Sequence, residues 1–227
     1  MGRSGHVLSA AELSALSLPV GDDGIIIGVD SRSRPAVLGI HRPVPFDMVL
    51  IGGLWTAQVL ALRAVATGAR VVVETGRPRL WARLAQAANG GLECMTLHDV
   101  GRVPPVGAAL GSPVLVVRDC GTRPPRSRVA SAPWQPVLTL LPYLSQATHR
   151  LVERASLVGV QQISPEEARV VGRILALPEV QAGALPTFAE NATLWCTRSA
   201  RRLVRLVPTD SEVGLLGAPS RLDRTTE

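Results

Sequence analysis

FDMVLIGG (46–53), LWTAQVLALRAVATG (54–68) and ARVVVET (69–75) follow one another without a break, and they decide the reading of the fold. The first is an apolar run ending in paired glycines, the pattern of a buried strand that turns sharply. The second carries apolar residues at helical spacing. The third is again a short, valine-rich run, a second buried strand. Strand, glycine turn, helix and strand form a unit in which phosphate is often held at a helix N-terminus, where backbone N–H groups and the helix dipole converge. Gly52, Gly53 and Thr56 are therefore the candidate phosphate-facing residues.

The chemistry expected beside such a turn is missing. A P-loop sets Lys and then Ser or Thr after its glycines, to reach the phosphates and Mg²⁺. This chain has Thr56-Ala57-Gln58 there, and Leu54-Trp55 adds bulk where phosphate would approach. No lysine occurs in the 227 residues, so all 24 basic residues are arginine. Schiff-base and lysine general-base chemistry are excluded with it. Glu74 ends the second strand, 21 residues after Gly53 (74 − 53), near the distance at which a dinucleotide-binding fold places its ribose-binding acid. GGLWTA does not match that fold's glycine fingerprint. VLVVRD (114–119) ends in an acid, as a metal-holding strand would, but its Arg118-Asp119 end reads as a structural pair. His98-Asp99 with Ser112 or Ser131 does not make a hydrolase, because no GxSxG elbow is present and neighbours on a strand face opposite ways.

Composition narrows the class. A hydrophobic fraction of 46% supplies ample core, whereas aromatics are 3%. Arginine without lysine, with much Ala, Gly and Pro, is the mark of a GC-rich bacterial genome. That bias inflates the net charge of +6, and the arginines are dispersed, with little aromatic surface for stacking on bases; nucleic acid is not the expected partner. Cys94, Cys120 and Cys196 are odd in number and far apart, which fits a reduced cytoplasmic protein. No metal ligand set is spaced through them and the four histidines. No run reaches 18 apolar residues.

Elsewhere, IIIGVD (25–30) and PAVLGIH (35–41) flank a polar turn and predict a hairpin. RPRLWARLAQAANGG (77–91) and SPEEARVVGRILAL (164–177) predict helices, the second with a Ser164/Glu167 capping box and Pro165 at N1. PVLVVRDCG and SLVGVQQI predict strands, ATLWCT and RRLVRLVP a second hairpin, and WQPVLTLLPYL (134–144) is either strand or buried helix. The expected architecture is α/β: a mainly parallel sheet with flanking helices, P-loop-like or Rossmann-like but degenerate, with antiparallel hairpins at its ends. Residues 1–20 are expected to be a short helix or tail, 21–210 a single domain and 211–227 a tail. Trp55, Arg77, Arg118, Arg123, Arg126, Arg128 and Trp134 offer the Trp and Arg chemistry of a protein interface.

The C-terminal third, from ASLVGVQQISPEEARVVGRILALPEV to RRLVRLVPTD, resembles the tail of secretion and conjugation P-loop ATPases. The run GIIIGVDSRSRPAVLGIHRPVPFDMVLIGGLWTAQVLALRAVATGARVVVETGRP resembles the soluble part of EccE-type components of actinobacterial type VII secretion. Such components usually carry two transmembrane helices, which this chain lacks. The resemblance implies a non-catalytic, structural component of a secretion complex, cytoplasmic or peripheral to the inner membrane. It implies no enzyme activity, no catalytic residue, no metal and no cofactor. The alternative is a nucleotide- or phosphate-binding protein or enzyme working through Gly52, Gly53, Thr56 and Glu74.

Overall fold

A computed structural model describes residues 24–121 and 129–221. Ten strands form one sheet in the order β2-β1-β10-β9-β8-β3-β7-β6-β4-β5. They are β1 (Ile25–Asp30), β2 (Pro35–Leu38), β3 (Asp47–Ile51), β4 (Arg70–Thr75), β5 (Met95–His98), β6 (Val114–Asp119), β7 (Val137–Leu141), β8 (Leu157–Val160), β9 (Ala192–Cys196) and β10 (Arg201–Arg205). The six strands from β8 to β5 are parallel. The other four join antiparallel.

The parallel half reads as it does because it is covered on both sides. β3, β6 and β7 are buried almost throughout, so their sequences are continuous Val, Leu and Ile runs rather than alternations. This settles WQPVLTLLPYL: Val137–Leu141 is a strand between β3 and β6. Helices α1 (Leu54–Ala66) and α2 (Pro78–Asn89) lie on one face, where Leu60, Trp81 and Leu84 pack on Leu50, Leu115 and Leu138. Helices α3 (His149–Arg154), α4 (Pro165–Ile174) and α5 (Glu179–Ala184) contribute to the other face, where Val152 and Val171 meet Val49, Val158 and Leu194.

Local chemistry sets the helix ends. Pro78 opens α2 and Gly90, in the left-handed region at φ 38°, closes it. Ser164 accepts from the Glu167 N–H while the Glu167 carboxylate accepts from the Ser164 N–H, completing the box at α4. The segment expected as a tail is in part a helix, α6 (Asp210–Leu216), opened by a second box of Thr209 and Glu212. It is clipped to α1 by Arg63, whose guanidinium donates to both Glu212 oxygens at 2.7 and 2.8 Å. The helix expected within residues 1–20 lies outside the described residues. No helix among the described residues is long and apolar enough to cross a membrane.

Candidate functional site

The end of β3 delivers Gly52 and Gly53 to the first turn of α1, at the carboxyl edge of the parallel strands, where open α/β sheets place ligands. Gly53 is the N-cap, with no side-chain cap hydrogen bond. Its N–H donates 2.7 Å to Oε1 of Gln161, a fully buried side chain just beyond β8. The Gln161 amide nitrogen donates 2.9 Å to the Thr56 hydroxyl and 3.3 Å to the Glu190 carbonyl. One carboxamide thus ties the turn, the Thr56 side chain and the loop before β9 together. A Cβ added at Gly52 would lie 2.3 Å from Gln161 Oε1.

The C-terminal segment covers the same turn. A Cβ on Gly53 would lie 2.6 Å from the Arg221 carbonyl oxygen and 2.8 Å from that of Ser220. Glycine is needed here for the close approach of the chain's own backbone. Trp55 Nε1 donates 3.0 Å to the Gly217 carbonyl, and Arg221 donates from Nε and Nη2, both at 2.7 Å, to the carbonyls of Gln162 and Pro142. Beside this seat lies a hollow of about 480 Å³ walled by Tyr143, Ile163, Ser164, Pro186 and Arg221.

Gly52, Gly53 and Thr56 are therefore brought together; Glu74 is not. Three inter-strand steps separate β4 from β3, about 14 Å. Glu74 is buried against Arg118, whose Nε donates 2.5 Å to Oε2, and its Oε1 accepts from the Gly101 N–H at 2.8 Å. Glu74, expected among the cofactor-binding residues, is held in that buried pairing and not beside the turn. Asp119 points to the opposite face from Arg118. It accepts from Arg77 at 2.7 and 3.2 Å, Trp81 Nε1 at 2.8 Å and Thr75 at 3.1 Å, with no exposure of its own. The expected Arg118-Asp119 pair is instead two separate nodes.

The expected contact surface is also redrawn. Trp55 and Arg118 are buried at 5% and 3% exposure, so neither presents an open face. Arg77 spends its guanidinium on Asp119 at the carboxyl edge. Trp134 precedes β7 at the amino edge, its N–H donating 2.7 Å to the Arg42 carbonyl, so it shares no patch with Arg77. Arg123, Arg126 and Arg128 lie outside the described residues.

Thiol chemistry finds no support. Burial, with the nearby Glu74 charge, pushes Cys120 up to about 12, and burial pushes Cys196 up to about 11. Among the described residues no group of three or more His, Cys, Asp or Glu could hold a metal ion. Sequence reasoning missed Gln161, which carries no motif and lies 108 residues from its partner Gly53. It also missed the covering segment, although Thr209-x-x-Glu212 is a readable helix start.

No family model matches the chain, and no curated protein does. Solved structures do. VirB4 of Thermoanaerobacter pseudethanolicus aligns with a TM-score of 0.58 at 8% identity, over 85% of this chain and 99% of that one. A structure named as an ATPase aligns at 0.51 and 14% identity, over 88% and 93%. The cytoplasmic domain of the Thermomonospora curvata Type VII Secretion ATPase EccC aligns at 0.48 and 13%, over 90% of this chain and 27% of that one; at that score it adds nothing to the argument. The α/β, mainly parallel architecture is thus a fold shared with VirB4 and with that ATPase. The expectation of a chain that is not an enzyme is corrected by the likeness to VirB4 and to the ATPase, whose fold this chain shares. The likeness to VirB4 supports a secretion-ATPase-like fold and not the narrower EccE likeness.

Proposed function

We propose that this chain is a nucleotide- or phosphate-binding protein of a secretion-type machine, with Gly52, Gly53 and Thr56 facing the phosphate. One observation carries the reading. The cradle at the start of α1, in an ATPase-like fold, already holds an oxygen: Gln161 Oε1 stands 2.7 Å from the Gly53 N–H. A phosphate oxygen has the same need for a donor at a helix N-terminus, with charge added.

The secretion context draws on the resemblance of residues 155–210 to secretion and conjugation ATPases and on the likeness to VirB4. The partners are then proteins of a secretion complex, with peripheral attachment to the membrane. Arg77 and Trp134 remain the described contact candidates, on separate edges of the sheet.

The test is titration of labelled protein with Mg-ATP, Mg-GTP and pyrophosphate, followed through the amide signals of Gly53 and Thr56. Saturable shifts centred on those two amides are expected. Amides that stay still with every ligand at millimolar concentration would overturn the binding role. A phosphate-release assay on the same samples measures turnover, and recovery of secretion components with tagged native protein checks the context.

A further inference from the structure

We infer that residues 217–221 form an intramolecular latch that keeps the Gly52–Gly53 turn closed, so that ligand access is regulated by its release. The inference rests on the phosphate-binding reading above and adds its control.

The closed state is built from three contacts of different kinds. The Ser220 and Arg221 carbonyl oxygens crowd Gly53 so closely that a methyl group there has no room, since its carbon would lie 2.8 and 2.6 Å from them. Both are acceptors carrying partial negative charge. A phosphate oxygen cannot share that space, and its charge would be repelled there. Second, Arg221 anchors the segment by donating to the carbonyls of Pro142 and Gln162, beyond β7 and β8. Those two strands flank β3 in the sheet, so the anchor bridges over the turn. Third, Trp55, in the first turn of α1, donates to the Gly217 carbonyl. The latch is therefore fastened on both sides of the seat it covers.

The segment also has a pivot. Gly217 ends α6 at φ 80°, ψ −174°, a conformation essentially reserved for glycine. Upstream, α6 is held to α1 by the Arg63–Glu212 pair. Downstream of Gly217 the chain can swing away while the helix stays in place. Its removal leaves Gln161 as the remaining occupant of the cradle, a neutral side chain with its own rotamers. It also opens the turn toward the hollow lined by Tyr143 and Ser164.

A ligand that needs the open form binds with its intrinsic constant divided by the open fraction. An open fraction of about one tenth makes the apparent Kd tenfold weaker. The test compares the native chain with Arg221→Ala and with a chain ending after Gly217. Mg-ATP and pyrophosphate affinities are measured for each, with hydrogen exchange of residues 217–221 in the native chain with and without ligand. About tenfold or tighter binding by both variants, with exchange at 217–221 rising when native protein takes ligand, is expected. Equal affinity across the three chains, with unchanged exchange, overturns the latch and leaves the binding role standing. No binding by either variant, while their circular dichroism remains native, overturns the binding role and the latch as its regulator. If the shortened chain does not fold, Arg221→Ala and the exchange measurement decide by the same criteria.

Discussion

The carboxyl ends of β3 and β6 are filled differently in this chain. At β3 the occupant is neutral: a glutamine amide and the backbone of the C-terminal segment, drawn from residues 108 and more positions away. At β6 it is charged: Asp119 gathers Arg77, Trp81 and Thr75, from the neighbouring β4, α2 and the turn between them. The first assembly depends on remote pieces of chain arriving at one point. The second is built within one strand–helix unit and its neighbour. A charged node made locally is suited to holding a fold together, whereas a neutral seat made from distant segments is suited to opening.

That contrast is open to direct attack, beginning with the largest effect. Asp119→Ala strands the Arg77 guanidinium and the Trp81 indole N–H, and should cost about 3–5 kcal/mol in urea unfolding, as removal of one partner of a buried ion pair does. Gln161→Ala leaves the Gly53 N–H without its acceptor and should cost about 1–3 kcal/mol by the same measurement. An equal cost at the two sites would end the distinction between holding and opening. Trp55→Phe keeps an aromatic side chain but is smaller and loses the bond to Gly217; the lost bond alone is expected to cost about 1 kcal/mol. The smallest effect is in acid. Burial opposes the Glu212 charge, yet the Arg63 hydrogen bonds outweigh it and hold this carboxyl below its usual range. A depressed folded value means that its stabilisation is present above about pH 4.3 and is lost as pH falls below that. Glu212→Gln should flatten the acid limb of a stability–pH profile; an unchanged limb would show that the α6 clip is not part of the acid response.

Much of the architecture was legible because the parallel half obeys simple pattern rules. β1, β3, β4, β6 and β8 fall where apolar runs predict them, and α4 where Ser164 and Glu167 do. WQPVLTLLPYL was undecidable by periodicity, because a strand buried on both faces and a buried helix show the same run of apolar residues. Tertiary position decided it. α3 and α5 have six residues each, too short for a helical repeat to stand out. At the site, Gly52, Gly53 and Thr56 were visible because turn chemistry is local. Gln161 and Arg221 were not, since nothing in a glutamine after a strand or an arginine near the end of the sequence says which glycine it will meet. Glu74 shows the converse: spacing along the chain matched a ribose acid, while the strand order set it three places along the sheet from the turn.

The strand order also bears on synthesis. Among the described residues β1 pairs with β2, its neighbour in sequence, and otherwise only with β10. On the ribosome the hairpin is complete at Leu38, but the strand that joins it to the sheet begins at Arg201, 163 residues later (201 − 38). At about 5–20 residues per second that is a wait of about 8–33 s. Through it Ile25, Ile27 and Leu38, all core residues in the finished protein, have no sheet to lie in. Nascent chains should therefore depend most on chaperone cover at the β1–β2 hairpin, and variants that slow translation between β2 and β10 should lower the soluble yield without touching the stability of the folded protein.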